Sequence, residues 1–572
     1  MSLKVAYSFF YRFSFLLMAA AFMWGCSSDD PVTEDSTDTR TYSWSSLEAI
    51  DIETVDSDLL SFDVTTSQSY GNFRLARSDD QAAFISTFVY DEVFVPFGRV
   101  FFTQQKVEDS ENDLSEGWAD YGDYFSALKL ISNDINNVDL SFNDDSDLLM
   151  VFSGSAVSTT YSVLVEDEQA IGDVDVSIFS KAFDASLPLY GQITSLVWTS
   201  STQASFLFAN PDDSNGYISQ YDTSTSSWSD LEGPSSLEGI ASAVSMLFDG
   251  FGLVSLIYEN SEYLTSSWFL EEDSQLDNLA GCSDLNLDDF SADCDAPETI
   301  KSFDLATNDL ATAVSVYLKQ DPDTSSAYCD DNTIPQTVNC DYRIYASVRN
   351  AQGQWTDPQP LDESLDNETT THYQDASTLY SEDTSNEKDF YTPQVAYIGD
   401  NHFLAVFTVS DNEERTSKIY SRKYTVSGGW SEFTVIESTA LVAFVEYTED
   451  DDADDFELAG LPGSYRAYNE FHLSSDENGN ALLVVHSIVK DAEEPEDREF
   501  GYKIFRYTSG AWELEETVED EYACRISSNS NCHLDTVRPQ GVLFSSGEAT
   551  VLLEAPNEEG AEEFRLYSIT YQ

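Results

Sequence analysis

Six of the seven cysteines fall into close pairs, so thiol chemistry is the first chemistry that the sequence suggests. The pairs are Cys282 with Cys294, Cys329 with Cys340, and Cys524 with Cys532. A disulfide within each pair would close a short loop and contribute on the order of 2–3 kcal/mol. Metal binding is the weaker alternative, because no CxxC spacing occurs and only one histidine, His533, adjoins a cysteine.

A run of carboxylates over residues 449–457 is the second group able to do chemistry. Asp450, Asp452 and Asp454 are weak candidates for calcium ligands, since Ca²⁺ prefers carboxylate oxygens. The run lacks the alternating Asp spacing and the glycine turn of a defined calcium loop. A solvated acidic loop is therefore the favoured interpretation; calcium stays possible, and no other cofactor is expected.

The sequence offers little else for catalysis. It contains no GxSxG nucleophile elbow, no HExxH helix and no phosphate-binding glycine loop. Carboxylate pairs are abundant, so a glycosidase that uses two of them stays an open alternative.

The N-terminal 25 residues have the pattern of a cleavable signal. Lys4 and Arg12 precede an apolar run over residues 13–23, which is too short to span a bilayer. The following segment, Trp24-Gly25-Cys26-Ser27, resembles the lipobox of bacterial lipoproteins, in which the cysteine is acylated. The resemblance implies a lipid on Cys26, and Ser27 after it is similar to lipoproteins sent to the outer membrane. Export also favours disulfides over metal for the paired cysteines.

Residues 26–41 are expected to form a flexible acidic tether, since they offer almost no apolar side chains. The chain as a whole carries a formal charge of −79. This charge excludes nucleic acid as a partner, because phosphate binding needs a basic surface. Aromatic residues make up 13% of the chain, enough for a hydrophobic core, so the acidity does not imply disorder.

Internal repeats organise the rest of the chain. One unit over residues 391–431 contains four short β-type runs and ends in Gly429-Trp430-Ser431. Units of the same order surround it, and fainter copies extend toward the N-terminus. Their fourth runs carry tryptophans that we interpret as packing residues: Trp44, Trp118, Trp228, Trp355, Trp430 and Trp512. Runs rich in Val, Tyr, Phe and Ile between turn residues predict strands, and no convincing amphipathic helix is present.

The two ends of the chain complement each other. The last unit stops at Tyr571 without its Trp-bearing fourth strand, whereas Tyr42-Ser43-Trp44-Ser45 has the sequence of one. We therefore predict a single all-β domain over residues 42–572, a β-propeller whose last blade is completed by the N-terminal strand. Eight blades are expected, with seven as the alternative.

The pattern resembles the sialidase-like, BNR-type propeller repeats of bacterial surface proteins over roughly residues 42–572. The Asp-box signature of those repeats is only approximated, by Ser475-Asp476-Glu477-Asn478-Gly479, which we predict to be a hairpin turn. The resemblance implies a fold more than an activity. A sialidase would need a cluster of arginines at the central pore. Five arginines of the C-terminal half are expected in or beside third strands, away from the pore: Arg343, Arg349, Arg422, Arg506 and Arg565.

The long insertions are predicted to gather on one face. In an antiparallel four-stranded blade, the second-to-third loop and the connection to the next blade leave from the same end. The long segments 319–341, 362–390, 438–468, 489–500 and 517–536 all map to that end, as do the cysteine pairs. Long loops on a rigid scaffold are a usual place for recognition, although drift in permissive loops is the alternative.

These observations predict a lipid-anchored outer-membrane protein, facing either the periplasm or the cell surface, with a non-catalytic propeller. Its looped face would bind an unidentified protein or polysaccharide. The alternatives are a glycan hydrolase or lyase, and a periplasmic scaffold for outer-membrane assembly.

Overall fold

The computed structural model describes a set of ranges separated by gaps. They are residues 43–49, 68–78, 81–90, 97–106, 118–120, 135–154, 157–165, 192–210, 215–225, 227–229, 244–248, 253–259, 263–270, 273–280, 300–308, 310–320, 342–362, 370–371, 393–411, 416–440, 442–443, 465–466, 471–476, 478–490, 499–518, 524–525, 539–556 and 564–571. All regular structure in these ranges is β-strand.

The strands of the N-terminal half, in chain order, begin with the two-residue β1 (Glu48–Ala49) and continue as four sheets. Sheet I contains β2 (Gln68–Arg77), β3 (Gln81–Tyr90), β4 (Phe97–Lys106) and β5 (Trp118–Asp120). Sheet II contains β6 (Ile135–Phe142), β7 (Leu148–Gly154) and β8 (Val157–Val165). Sheet III contains β9 (Gln192–Ser200), β10 (Gln203–Asn210), β11 (Asn215–Asp222) and β12 (Ser227–Trp228). Sheet IV contains β13 (Val244–Phe248), β14 (Leu253–Glu259), β15 (Tyr263–Leu270) and β16 (Asp273–Ala280).

The C-terminal half follows the same plan. Sheet V contains β17 (Ile300–Thr307), β18 (Ala313–Gln320), β19 (Tyr342–Arg349) and β20 (Gln359–Pro360). Sheet VI contains β21 (Thr370–Thr371), β22 (Gln394–Tyr397), β23 (His402–Asp411), β24 (Thr416–Thr425), β25 (Gly429–Trp430) and β26 (Thr434–Ala440). A separate pair, β27 (Val442–Ala443) and β28 (Tyr465–Arg466), follows. Sheet VII contains β29 (Phe471–Ser475), β30 (Ala481–Lys490), β31 (Glu499–Thr508), β32 (Ala511–Val518) and β33 (Cys524–Arg525). Sheet VIII contains β34 (Gln540–Leu543), β35 (Ala549–Pro556) and β36 (Phe564–Tyr571), with β1 at its outer edge.

The arrangement is an all-β propeller. Within the described ranges, six sheets (I, III, IV, V, VI and VII) each contain four consecutive antiparallel strands, which are the blades. The first strand of every sheet lies against the first strand of the next, in the order β2, β6, β9, β13, β17, β22, β29 and β34, and β34 lies against β2. First strands that contact each other in sequence around a common axis define this fold.

The core lies between neighbouring blades. Val316 and Leu318 of sheet V pack with Phe403 and Phe407 of sheet VI, all buried. Similar clusters join sheets VI and VII, and sheets VII and VIII. Burial of one such side chain contributes roughly 1.5–3 kcal/mol. The blades therefore hold each other through apolar faces.

The hairpins between first and second strands repeat one geometry. In five of them the first residue's N–H donates to the fifth residue's carbonyl, at 2.8–3.3 Å, and the fourth residue has a positive φ; the turns begin at Asn143, Asn308, Ile398, Asp476 and Phe544. Where the first residue is Asn or Asp, its Oδ1 also accepts the N–H groups of the third and fifth residues. The predicted hairpin turn at Asp476 is confirmed as a member of this set.

Tryptophans of the fourth strands pack on tyrosines of the third. Four Tyr–Trp pairs have ring centroids 5.1–5.3 Å apart: Tyr221–Trp228, Tyr424–Trp430, Tyr507–Trp512 and Tyr571–Trp44. In three of these pairs the serine after the tryptophan accepts a backbone N–H from the residue before the tyrosine; they are Ser229, Ser431 and Ser45. Trp44 and Ser45 thus make the same contacts with β36 that interior blades make within themselves.

The structure differs from the sequence prediction in the long connections. Three of these segments, expected as loops, contain short strands: β21, the β27–β28 pair and β33. Strands of two residues carry no alternation pattern, so the sequence does not reveal them. Sheet II has three strands within the described residues.

The hairpin geometry gives a test with a matched pair of variants. Ala311 has φ 62° and Gly479 has φ 100° at equivalent turn positions. We expect Ala311→Gly to stabilise the protein and Gly479→Ala to destabilise it, each by about 1 kcal/mol, because a left-handed backbone penalises a Cβ. Thermal unfolding midpoints of both variants measure this. Shifts of the same sign in the two variants would contradict it.

Candidate functional site

The propeller has two unlike faces. The first-to-second and third-to-fourth turns share one end of every blade, here called the tight-turn face, and among the described turns each is short, as at 308–312 and 350–354. The opposite end, here called the looped face, receives the second-to-third loops and the connections between blades. The sequence predicts this division of the loops between two faces, because the strands of each blade are antiparallel.

Long connections pair with the blades at the looped face. Thr370 and Thr371 in β21 extend sheet VI by pairing with Ser410 and Asp411 at the end of β23. Cys524 and Arg525 in β33 extend sheet VII by pairing with the start of β31. Strands β27 and β28 form a two-stranded stem within segment 438–468. Backbone pairing therefore orders parts of three of the five long segments.

The predicted site residues fall mostly outside the described ranges. Cys524 lies in β33, opposite Phe500, within the connection where its predicted pairing with Cys532 would form. The remaining predicted residues lie outside the described residues: Cys26, Cys282, Cys294, Cys329, Cys340, Cys532, Asp450, Asp452 and Asp454. The lipid, disulfide and calcium assignments stay predictions.

A group of charged side chains with little exposure lies in sheets V and VI. Asp362, with no exposed surface, accepts the N–H of Ile344 at 3.1 Å and faces the Arg343 guanidinium at 3.4 Å. Arg422 donates to the carbonyl of Leu361 at 2.8 Å, and burial lowers its pKa. Lys319 stacks over the Tyr345 ring, 4.9 Å from the centroid. Lys319 and Arg343 thus lie at the looped end of sheet V, whereas Arg422 lies nearer the tight-turn end of β24.

Polar side chains join the innermost strands of neighbouring blades. Each lies four residues before the first-to-second turn and accepts a backbone N–H of the next first strand. The pairs are Asp139 with Leu196 (2.8 Å), Asp304 with Val395 (2.8 Å), Gln394 with Leu473 (2.7 Å) and His472 with Gly541 (3.1 Å). The inner edge of a first strand has no further ladder partner, so a side chain must satisfy it.

The pKa values of the two carboxylates in this set are raised. Burial raises the pKa of Asp304 to about 6, although the N–H groups of Val395 and Leu305 favour its ionised form. Burial likewise raises the pKa of Asp139 to about 6, and the Arg74 guanidinium of sheet I opposes that shift. No sequence motif marks this set of side chains, and their fixed spacing before the turn is the signal that they share.

A buried histidine lies in sheet VII. His486 in β30 is 5% exposed and packs on Tyr502 and Phe500, with ring centroids 5.1 and 6.4 Å away. Burial lowers its pKa to about 4, so the imidazole is neutral at pH 7. Its neighbours are aromatic packing residues, which gives it a structural environment.

The arginines are in third strands, as the sequence predicts. Arg343 and Arg349 lie in β19, Arg422 in β24, Arg506 in β31 and Arg565 in β36. Arg506 donates to the carbonyl of Gly547 at 2.8 Å, pairs with Glu515 at 2.9 Å and stacks over Tyr571. Third strands lie away from the central axis, so these five arginines do not form a cluster around it.

Two further observations concern metal ions and the membrane. In the part of the chain that the structure describes, no group of three or more His, Cys, Asp or Glu side chains is arranged to hold a metal ion. Across the same residues, no helix has the length and apolar character needed to span a membrane.

Comparisons with known proteins give remote structural likenesses only. No sequence model of a protein family matches the chain, and no curated protein sequence matches it. The propeller domain of the Trilobed protease from Pyrococcus furiosus is similar over 79% of this chain and 97% of its own, with 8% identity and a TM-score of 0.36. The WD40 domain of SCAP from fission yeast is similar over 88% and 95%, with 6% identity and a TM-score of 0.43.

A post-proline cleaving enzyme from Rickettsia typhi is similar over 86% of this chain, with 9% identity and a TM-score of 0.40. The chain spans 58% of the length of that enzyme. Likenesses this remote carry no argument about activity, and the fold rests on the sheets themselves.

His486 gives a pH test. A neutral buried histidine stabilises the fold above its unfolded pKa, and that stability is lost as pH falls from about 6.5 toward 4. We expect the melting temperature of His486→Leu to rise relative to that of the parent as the pH is lowered from 7 to 5, because only the parent loses the histidine's contribution. Differential scanning calorimetry at both values measures it, with His402→Leu, in a turn, as the control. A difference independent of pH for His486→Leu would contradict the expectation.

Proposed function

We propose that the protein is an outer-membrane lipoprotein, anchored through Cys26, whose non-catalytic propeller presents its looped face to a protein or polysaccharide. The observation that carries the proposal is the asymmetry of the two faces. Every described turn on one face is short, whereas long connections on the other pair with the blades through β21 and β33. A rigid frame that holds shaped loops at one end is suited to recognition.

The proposal includes eight blades in a ring closed by the N-terminal strand. The contact of β34 with β2 supports eight, because sheets II and VIII then complete the circle with the six four-stranded blades. Ala82 of sheet I also packs with Val542 and Phe544 of sheet VIII. Pairing of Glu48 and Ala49 with Ser568 and Tyr567 supports the closure.

The buried ionisable groups support a non-catalytic role. Asp139, Asp304 and Asp362 each accept a backbone N–H of an adjacent strand, and His486 lies among aromatic rings. A catalytic acid or base must face its substrate instead. Asp139 and Asp304 hold neighbouring blades together, whereas Asp362 and His486 make their contacts within one sheet.

The closure is tested by Trp44→Ala. Trp44 packs on Tyr571 and donates from Nε1 to Glu515 at 3.2 Å, so its loss removes packing between sheets VII and VIII. We expect a destabilisation of about 3 kcal/mol or more, seen as a lower thermal midpoint and faster proteolysis. Ser43→Ala, at the exposed residue before it, is the control. An unchanged midpoint for Trp44→Ala would contradict closure.

Recognition by the looped face is tested by loop replacement. In one variant a Gly-Ser turn replaces residues 323–340, which removes both Cys329 and Cys340, and in the control the same turn is inserted at Ala351 on the tight-turn face. We expect binding to arrays of bacterial glycans and surface proteins to fall at least tenfold only in the first variant, with both variants keeping the parent's melting temperature. Equal binding by both variants would count against the looped face.

Turnover on the same glycan arrays decides between binding and hydrolysis. Release of reducing ends by the parent protein, abolished by one carboxylate substitution on the looped face, would replace this proposal with the glycan hydrolase alternative.

A further inference from the structure

The position of Trp44 fixes the face from which the N-terminal segment leaves the propeller. Trp44 forms a bridge with Tyr571, at the end of the third strand of sheet VIII. Trp430 holds the equivalent place in sheet VI, directly after the third-to-fourth turn 425–429. The chain therefore enters at the tight-turn face and runs along the outer edge toward the looped face, through Glu48 and Ala49.

The proposed lipid lies a short distance upstream of this point. Residues 27–43 separate Cys26 from Trp44 and span at most about 60 Å when fully extended. A ten-residue strand such as β24 spans about 33 Å between the two faces. For the looped face to lie nearest the lipid, the propeller would have to be inverted. The tether would then have to extend over the height of a blade as well.

The described turns of the tight-turn face offer no attraction to anionic lipid. None of the turn residues that the structure describes there is Lys or Arg, and several are exposed acidic or small polar residues: Asp144, Asp145, Ser224, Gln352, Asp400, Ser427 and Ser546. The point of attachment, rather than adsorption by charge, therefore favours one orientation of the propeller.

We propose that the tight-turn face is turned toward the membrane and that the looped face points away from it. This inference rests on the proposed lipid anchor at Cys26. It places the recognition loops at the far side of the propeller, where a large protein or polysaccharide has access without approaching the bilayer.

Two labelled variants of one blade test the orientation. Ser427, in the tight turn of sheet VI, and Ser438, in β26 opposite Lys418 toward the looped end, are both exposed. Full-length lipidated Ser427→Cys and Ser438→Cys are labelled with a fluorophore and reconstituted into vesicles that contain a headgroup-attached quencher. The parent protein gives the background labelling of native cysteines.

We expect the label at position 427 to be quenched several-fold more than the label at 438. We expect the same ratio in zwitterionic and anionic vesicles, since charge does not set the orientation. Equal quenching, or stronger quenching at 438, overturns the inference.

Flotation of the same vesicles separates the inference from the proposed function. Parent protein that floats while Cys26→Ser does not establishes the anchor, and the quenching ratio then judges the orientation alone. Parent protein that fails to float overturns both the anchor and the orientation.

Discussion

The unsatisfied inner edge of each first strand is the constraint on which the propeller depends. A first strand pairs on one side only, so its inward N–H groups need acceptors from outside its own sheet. Asp139, Asp304, Gln394 and His472 supply them across the gap to the next blade. Because each acceptor stands four residues before a hairpin turn, it also fixes the height of one blade against the next. The turns of successive blades consequently meet at one face.

The strand order was predictable from sequence because backbone pairing leaves a regular pattern. The Trp-Ser pairs, as at Trp430 and Ser431, mark fourth strands, and runs such as residues 481–485 mark buried second strands. The inter-blade acceptors were not predictable, since Asp, Gln and His perform the same task. The strands β21 and β33 were missed because two residues cannot show a period. The looped face was located by strand order alone, which says nothing of its chemistry.

Basic side chains are few in this acidic chain, and several of those in third strands contact the neighbouring blade. Lys503 of sheet VII pairs with Glu437 of sheet VI at 3.2 Å, and Arg422 reaches from sheet VI to Leu361 of sheet V. Arg506 joins sheets VII and VIII through Gly547 and Tyr571. Cations placed between blades hold them by hydrogen bonds and stacking, while carboxylates dominate the composition.

The contact between Trp44 and Tyr571 has a consequence for the order of assembly. The segment around Trp44 leaves the ribosome more than five hundred residues before its partner. Until β36 emerges, the segment around Trp44 lacks its final neighbour. Its exposed strand edge can then pair with strands of other proteins. The sheet that contains β1 and β36 can therefore be completed only after β36 has been translated, and a chain that stops before β36 would remain a target for chaperones and proteases.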